Sequence, residues 1–166
     1  MHESRLANLL GACGLAVTDL TLRHVTTRLS ASGAAAVVVL ASGPVSGTEL
    51  GRRVGLTQSA ATRMVDTLAG AGLVERSARA GRVVLVGLTP AGHEVVAELL
   101  AARADALTAA LSVLSAAERA RLGGLLEKLL TGLYGDIGSA DLMCRLCDRS
   151  ACTSGGTCPV GQAARG

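Results

Sequence analysis

Aromatic residues are nearly absent from this 166-residue chain, which has no tryptophan, no phenylalanine and one tyrosine, Tyr134. This absence disfavours functions that depend on stacking nucleic-acid bases on aromatic side chains. Lysine is almost missing too, because Lys128 is the only one among 16 basic residues, so the net charge of +3 rests on arginine. A positive charge this mild is compatible with a nucleic-acid partner but does not establish one.

The sequence also lacks a long apolar run. The longest, residues 34–41, has eight residues, whereas a membrane span requires roughly 18. The stretch from Leu10 to Cys13 resembles a lipoprotein cleavage site, but Glu3 and Asn8 interrupt the pattern of an export signal. We therefore expect a cytoplasmic protein. No Ser-His-Asp set, phosphate-binding loop or carboxylate pair stands out, so we do not expect an enzyme.

Residues 47–72 predict two short helices joined by a turn that contains glycine. Thr48 is expected to open the first helix, which ends by Gly55, and Thr57 is a candidate N-cap for the second. The second helix is expected to end between Gly70 and Gly72. Two helices separated by such a turn are the helix-turn-helix pattern.

The second of these helices has two different faces. One is apolar and is predicted to pack into the core, and its members are Ala61, Met64, Val65, Leu68 and Ala71. The opposite face and its flanks carry Gln58, Ser59, Thr62, Arg63 and Asp66. Short hydrogen-bonding side chains and an arginine near a helix N-terminus suit base edges and phosphates in a major groove. The alternative is an ordinary amphipathic surface helix.

A β-hairpin is predicted directly after this helix, with strands at Leu73–Ser77 and Arg82–Thr89 joined by residues 78–81. Three arginines crowd it: Arg76, Arg79 and Arg82. An arginine-bearing hairpin beside a recognition helix is typical of a wing that places guanidinium groups on phosphates or in the minor groove. The hairpin therefore favours DNA binding over the surface-helix alternative.

Leucine-rich helices are predicted on both sides of this unit. Apolar residues recur at helical spacing between Leu6 and Leu20, and Ser115 with Glu118 forms a capping box for a last helix. That helix carries six leucines between Leu122 and Leu133, more than one small chain is expected to cover. We therefore predict a homodimer that presents two recognition helices. Packing on the first helix within one chain would cover part of the same surface.

The segments "LTQSAATRMVDTLAGAGLVER" and "VVLVGLTPAG" resemble the MarR family of bacterial winged-helix transcription regulators, and the resemblance extends over residues 5–134. It implies a mainly α fold with a small β-hairpin wing, a homodimer with intertwined terminal helices and a duplex DNA partner. We expect a repressor that binds a pseudo-palindromic operator, although the sequence does not separate repression from activation. A recognition helix would begin near Thr57 and place Gln58, Ser59, Thr62 and Arg63 in the major groove.

The wing departs from the family pattern. Arg82 matches the last arginine of the family's Asp-Arg-Arg motif, but Ala80 and Gly81 stand where the family has Asp and Arg. We therefore expect Arg79 to take part of the phosphate contact. The resemblance also implies release from DNA by small phenolic or lipophilic ligands, or by oxidation of a first-helix cysteine. Cys13 matches that location without the surrounding tyrosines, and we expect it to be an inert core residue.

These patterns divide the chain into four parts. Residues 1–29 form an N-terminal dimerisation helix and residues 30–92 the winged helix-turn-helix. Residues 93–134 form the C-terminal dimerisation helices, and residues 135–166 a cysteine-rich tail in which the helix loosens beyond Tyr134.

The tail has the spacing Cys144-x2-Cys147-x4-Cys152-x5-Cys158. A segment of this size cannot bury a core of its own, and four thiolates around a metal would hold it together. We favour zinc, because the spacing resembles a zinc knuckle in which cysteine replaces histidine. An iron–sulfur cluster is the alternative, because a single cysteine run followed by Pro159 resembles ferredoxin-type binding.

Two further alternatives for the tail stay open. One is a segment without metal, which would be a thiol switch or disordered. The other is a redox protein that uses Cys144 and Cys147 as a thiol–disulfide couple. That chemistry usually needs a low-pKa cysteine in a βαβ scaffold, and no such unit is predicted around these cysteines.

Overall fold

A computed structural model describes residues 3–23, 29–78 and 83–166 of the chain. The described helices are α1 (Glu3–Arg23), α2 (Ala31–Leu40), α3 (Gly47–Val54), α4 (Gln58–Gly70), α5 (Pro90–Leu111), α6 (Ala116–Ile137), α7 (Ala140–Met143), α8 (Arg149–Thr153) and α9 (Pro159–Ala163). The strands are β1 (Val45–Ser46), β2 (Val74–Ala78) and β3 (Val84–Leu88). The predicted fold class, mainly α with a small hairpin wing, is confirmed.

The core is built around α2. Every residue from Ala34 to Leu40 is at most 7% exposed, as expected for a helix that is apolar on all sides. It packs against α3, α4 and α5. Ser30 is the N-cap, and its hydroxyl accepts a hydrogen bond from the Gly33 N–H at 3.1 Å.

The helix-turn-helix forms where it was predicted, with one correction at its start. The N-cap of α3 is Ser46, whose hydroxyl accepts from the Glu49 N–H at 3.2 Å, so the helix begins at Gly47 rather than at Thr48. Gly55 ends α3 with a left-handed φ of 74°, a conformation that glycine adopts without strain. A Cβ built at Gly51 would lie 2.7 Å from the Cβ of Ala61. Only glycine at position 51 therefore allows α3 and α4 to approach this closely.

The hairpin pairs antiparallel with β1 in the order β1-β3-β2, and its register joins Val74 to Leu88. The predicted strands were slightly misplaced, because β2 begins at Val74 rather than Leu73 and β3 ends at Leu88. The backbone of Leu73 closes the turn after α4, since its N–H donates to Leu68 and its carbonyl accepts from Thr89. Arg79 and Arg82 lie outside the residues that the structure describes.

Two 22-residue helices follow the wing. Thr89 caps α5, with Pro90 in its first turn, and the predicted capping box of Ser115 and Glu118 begins α6. The expectation that the helix loosens beyond Tyr134 was wrong. The helix α6 continues to Ile137 and ends only at Gly138, which has a left-handed φ of 65°.

The tail is folded in the described structure, contrary to the disordered alternative. Three short helices, α7, α8 and α9, follow α6, and α9 packs back against it. Val160 of α9 is only 2% exposed, and Leu146 packs against the core cluster. The cysteine segment is therefore attached to the body of the protein by apolar contacts at two places.

No single helix among residues 3–23, 29–78 and 83–166 combines the length and apolar character that crossing a membrane requires. The helices α5 and α6 meet that test only as a pair, and they are bent by 118° at their junction.

Candidate nucleic-acid interface and cysteine cluster

The N-terminal half of α4 presents a polar surface to solvent. Thr57 is the N-cap as predicted, and its hydroxyl accepts from the Ala60 N–H at 3.4 Å. The predicted contact residues Gln58, Ser59, Thr62 and Arg63 are all exposed. On the opposite side Ala61, Met64, Val65 and Leu68 are at most 8% exposed. The two predicted faces are thus observed, except that Ala71, just past the helix end, is exposed.

The exposed face of α4 is held in a defined conformation. The Thr62 hydroxyl donates to the Gln58 carbonyl at 3.0 Å, and the hydroxyls of Thr57 and Ser59 lie 3.4 Å apart. The side chain of Arg63, one turn further on, has no hydrogen bond or ion pair with any other described residue, although its backbone carbonyl accepts from the Thr67 hydroxyl at 2.9 Å. Its guanidinium is therefore available to an external acceptor.

One wing arginine is tied to α4. Arg76 of β2 donates to the Asp66 carboxylate at 2.6 Å, and the two side chains are 42% and 59% exposed. The contact joins the base of the hairpin to the polar face of α4. Arg76 is the only predicted wing contact within the described residues.

A charged network lies on α3. Arg52 and Arg53 both hydrogen-bond to Glu49, at 2.8 Å and 2.7 Å. These two hydrogen bonds lower the pKa of the Glu49 carboxyl to about 2, and the pKa of Arg52 is raised by the same contact. Arg52 also donates to Asp141 of α7 at 2.9 Å. Sequence reasoning missed this link, because nothing in the local pattern relates α3 to the tail.

The four tail cysteines come together around one cavity of about 260 Å³, which Asp141 and Arg149 also line. The Cys144 thiol contacts the Cys158 thiol, and the Cys152 thiol contacts those of Cys147 and Cys158. Burial raises the pKa of the Cys144 thiol, and the charges of Cys158 and Cys152 raise it further. Burial and the neighbouring Cys147 raise the pKa of Cys152 to about 11.

The cysteines do not stand in the array of a single-ion site. In the described part of the chain, no three His, Cys, Asp or Glu side chains are already arranged to hold one metal ion. The four cysteines nevertheless line the same cavity. The predicted zinc and iron–sulfur sites therefore stay predictions at this point.

Polar groups from two helices border the cysteine cavity. The Cys158 sulfur caps α9 and accepts a hydrogen bond from the Gly161 N–H at 3.3 Å. Arg103 of α5 lies close enough to Cys147 and Asp148 for its charge to act on both. The Nε of Arg103 is buried and has no hydrogen-bond partner among the described residues. A buried donor without a partner is costly, and this one lies beside the thiols.

A larger cavity of about 520 Å³ lies where α1, α5 and α6 meet the tail. Its apolar lining includes Val17, Leu22, Leu130 and Val160. The first-helix cysteine, Cys13, lies elsewhere and is exposed. The expectation that Cys13 is a core residue was wrong for the single chain, because the apolar side chains along α1 lie at its surface.

The comparisons with known proteins agree with this geometry. A model of the MarR family matches residues 39–81, which include α3 and α4. The comparison with curated proteins gave no match.

Solved structures match a longer part of the chain. It is 32% identical to a probable transcriptional regulator from Pseudomonas aeruginosa, over 75% of this chain and 96% of that one, with a TM-score of 0.57. It is 25% identical to a MarR family protein from Bacillus stearothermophilus, over 80% and 98%, with a TM-score of 0.71. It is also 25% identical to apo MarR from E. coli, over 78% and 98%, with a TM-score of 0.60.

These matched proteins are covered almost completely, whereas a fifth or more of this chain lies beyond each match. From this architecture and these similarities, the chain belongs to the MarR family of winged-helix DNA-binding transcription regulators.

Proposed function

We propose that this chain is a sequence-specific, homodimeric repressor of transcription that binds a pseudo-palindromic DNA operator in the cytoplasm. The proposal rests on the two different faces of the N-terminal half of α4. Its apolar side is fixed in the core, while Gln58, Ser59, Thr62 and Arg63 face solvent. A rigid helix with this polar end fits the major groove.

Each polar residue of α4 has a role that its position supports. The guanidinium of Arg63 has no partner among the described residues and can donate two hydrogen bonds to a guanine edge or bind a phosphate. Gln58, Ser59 and Thr62 supply shorter donors and acceptors nearer the helix start. Thr57 fixes the N-terminus, whose N–H groups and dipole favour phosphate.

The wing supplies a second set of DNA contacts. Arg76 is part of strand β2 of the hairpin, and Asp66 holds its side chain beside α4. Arg79 and Arg82 follow Arg76 in the chain, and we propose that they bind phosphates or enter the minor groove. Contacts of this kind give affinity and salt dependence rather than sequence preference.

Dimerisation is proposed from the apolar surfaces of α1 and α6. The exposed residues, each at least 36% exposed, are Leu6, Leu9, Leu10, Leu15, Val17, Leu125, Leu126, Leu129, Leu130, Leu133 and Ile137. Apolar side chains exposed in this number on two helices are typical of an interface with another chain. A second copy with two-fold symmetry would place two α4 helices about 34 Å apart, the spacing of successive major grooves.

A small lipophilic effector is the third proposed partner. The cavity between α1, α5 and α6 has a volume of about 520 Å³, within the ~300–1,000 Å³ typical of ligand sites. It lies between the proposed dimerisation helices and the body that carries α4. A ligand bound there would act on the relative position of these two parts.

The proposal is tested by fluorescence anisotropy with labelled DNA from upstream of the chain's own gene, at several salt concentrations. We expect saturable binding that weakens steeply with salt. Arg63→Ala should lose about 1–3 kcal/mol of binding free energy. Arg121→Ala, which removes the same charge from an exposed position on α6, is the matched control and should bind like the wild type.

Absence of any complex at low salt, or equal loss in Arg63→Ala and Arg121→Ala, would contradict DNA binding through α4. Repression is tested separately with a reporter fused to the same upstream DNA. Expression should rise when the gene is deleted and fall again when it is restored; unchanged or reduced expression on deletion would contradict a repressor.

A further inference from the structure

The tail brings four soft ligands to one place on the surface of the helix-turn-helix. Cys144 ends α7, Cys147 precedes the N-cap of α8, Cys152 lies within α8, and Cys158 caps α9. Three short helices are therefore arranged so that a cysteine from each boundary lines the same cavity. Thiolates are the ligands that zinc and iron–sulfur clusters prefer.

We propose that Cys144, Cys147, Cys152 and Cys158 hold a metal centre, and that α7 couples this centre to the DNA-binding helix pair. The first half of the proposal stands on the cysteine cavity alone. The second half rests on the proposed function, because its readout is DNA affinity.

Two arginines provide the charge that such a centre requires. Four thiolates around a zinc ion or an iron–sulfur core carry a net negative charge. Arg149 lines the cavity, and Arg103 lies beside Cys147 with a buried Nε that has no partner among the described residues. An anionic centre would place negative charge beside this buried donor, which makes no hydrogen bond with any described residue.

Either a zinc ion or an iron–sulfur cluster would draw the four thiolates together. The four cysteines line one cavity, and among the described residues no three His, Cys, Asp or Glu side chains are already arranged around a single ion. Zinc–sulfur bonds are about 2.3 Å long, so binding of zinc would require the four sulfur atoms to close around the ion. Metal and sulfide analysis distinguishes the two occupants.

The centre is connected to α3 by two contacts of α7. Asp141 accepts a hydrogen bond from Arg52 at 2.9 Å. One residue on, the Leu142 side chain lies against the turn glycine, since a Cβ built at Gly55 would be 2.9 Å from Leu142 Cδ2. Gly55 begins the turn that leads into α4. The segment that supplies the first cysteine thus also supports the helix-turn-helix.

The metal half is tested on full-length protein purified without oxygen, by metal and sulfide analysis and by visible absorption. Iron and sulfide with broad visible absorbance, or one zinc per chain without colour, would support a centre, and the first result would identify a cluster. Cys147→Ser and Cys158→Ser should each lose the metal. Cys13→Ser, an exposed cysteine on α1, is the control and should keep it.

Protein with no stoichiometric metal, or equal metal in Cys147→Ser and the wild type, would overturn the centre. One zinc per chain without sulfide would identify the occupant as zinc. Arg63→Ala should keep its full metal content while losing DNA binding. Wild-type protein that carries metal but binds no operator would therefore contradict the proposed function and leave the centre standing.

The coupling half is tested by anisotropy on the operator DNA. Cys147→Ser should weaken DNA binding at least about fivefold, a usual size for coupling between two sites. Asp141→Asn, which keeps all four cysteines, should also weaken binding and still contain metal. DNA affinity unchanged in both variants, with metal lost from the first, would overturn the coupling.

Discussion

Asp141 accepts a hydrogen bond from Arg52 at 2.9 Å, although the two residues are 89 positions apart in the chain. Arg52 also pairs with Glu49, and Asp141 lies 3.6 Å from Arg149 at the edge of the cysteine cavity. An unbroken series of opposite charges therefore runs from the helix-turn-helix to the cysteine tail. This series connects the proposed DNA-binding helices to the cysteine cluster.

Gly55 is the position where a substitution should damage the turn most clearly. Gly55→Ala places a side chain at φ 74°, which costs about 1–2 kcal/mol, and its Cβ would meet Leu142 at 2.9 Å. We expect the free energy of unfolding in urea to fall by at least that amount. Gly70→Ala, at the end of α4 with no atom within 4 Å of a new Cβ, is the control and should be neutral or slightly stabilising. Equal stability of the two variants would contradict the close packing of the turn on the tail.

The Glu49 carboxylate predicts an acid-dependent loss of stability. The two arginine hydrogen bonds lower its pKa from 4.5 to about 2, so they stabilise the folded state fully above pH 4.5. That contribution is lost as the pH falls from about 4.5 to about 2, because the unfolded chain takes up the proton first. The melting temperature of the wild type should therefore fall more steeply over this interval than that of Glu49→Gln.

Glu127→Gln removes an exposed carboxylate from α6 and serves as the control for this measurement. Its melting temperature should follow the wild-type curve between pH 5 and pH 2. If Glu49→Gln follows the wild-type curve as well, the network on α3 does not contribute to stability.

The apolar face of α6 predicts the oligomeric state. Leu129 is 43% exposed in the single chain, and Leu129→Glu would place a charge at the centre of the proposed dimer surface. We expect sedimentation equilibrium to give a dimer for the wild type and a monomer for this variant. Val84→Glu, at a wing residue that is 51% exposed, should stay dimeric. A wild-type monomer at micromolar concentration would contradict the proposed assembly.

The Asp66–Arg76 contact is expected to position the wing rather than to stabilise the fold. Both partners are substantially exposed, and exposed ion pairs contribute about 0.2–1 kcal/mol. A double-mutant cycle of Asp66→Ala and Arg76→Ala should give a coupling within that range in unfolding experiments. Arg76→Ala should also reduce the slope of log affinity against log salt by about one. A coupling well above this range, or an unchanged slope, would contradict the assignment.

The helix-turn-helix could be predicted because its signals are local. Gly55 ends α3 and Thr57 caps α4. The spacing of Ala61, Val65 and Leu68 predicts the buried face of α4. The errors at boundaries were small and have local causes. With Ser46 as its N-cap, α3 begins one residue earlier than expected, and the backbone of Leu73 is used in a turn rather than in the strand.

The placement of the tail could not be predicted from the sequence. Its position depends on contacts between residues far apart in the chain, such as Leu142 with Gly55 and Asp141 with Arg52. The burial of Cys13 could not be predicted from the sequence either. Its spacing on α1 is that of an apolar stripe, but whether a stripe is buried depends on what covers it, and in the single chain Cys13 is exposed.

The central claim is that the polar end of α4 enters the major groove, and methylation interference on the operator tests it most directly. Methyl groups on guanine N7 block the major groove, whereas methyl groups on adenine N3 block the minor groove. We predict that N7 methylation at symmetric guanines in two half-sites prevents binding of the wild type, and that Arg63→Ala loses sensitivity at one guanine of each half-site. Interference from adenine N3 alone, or the same N7 pattern in Arg63→Ala and the wild type, would contradict the account.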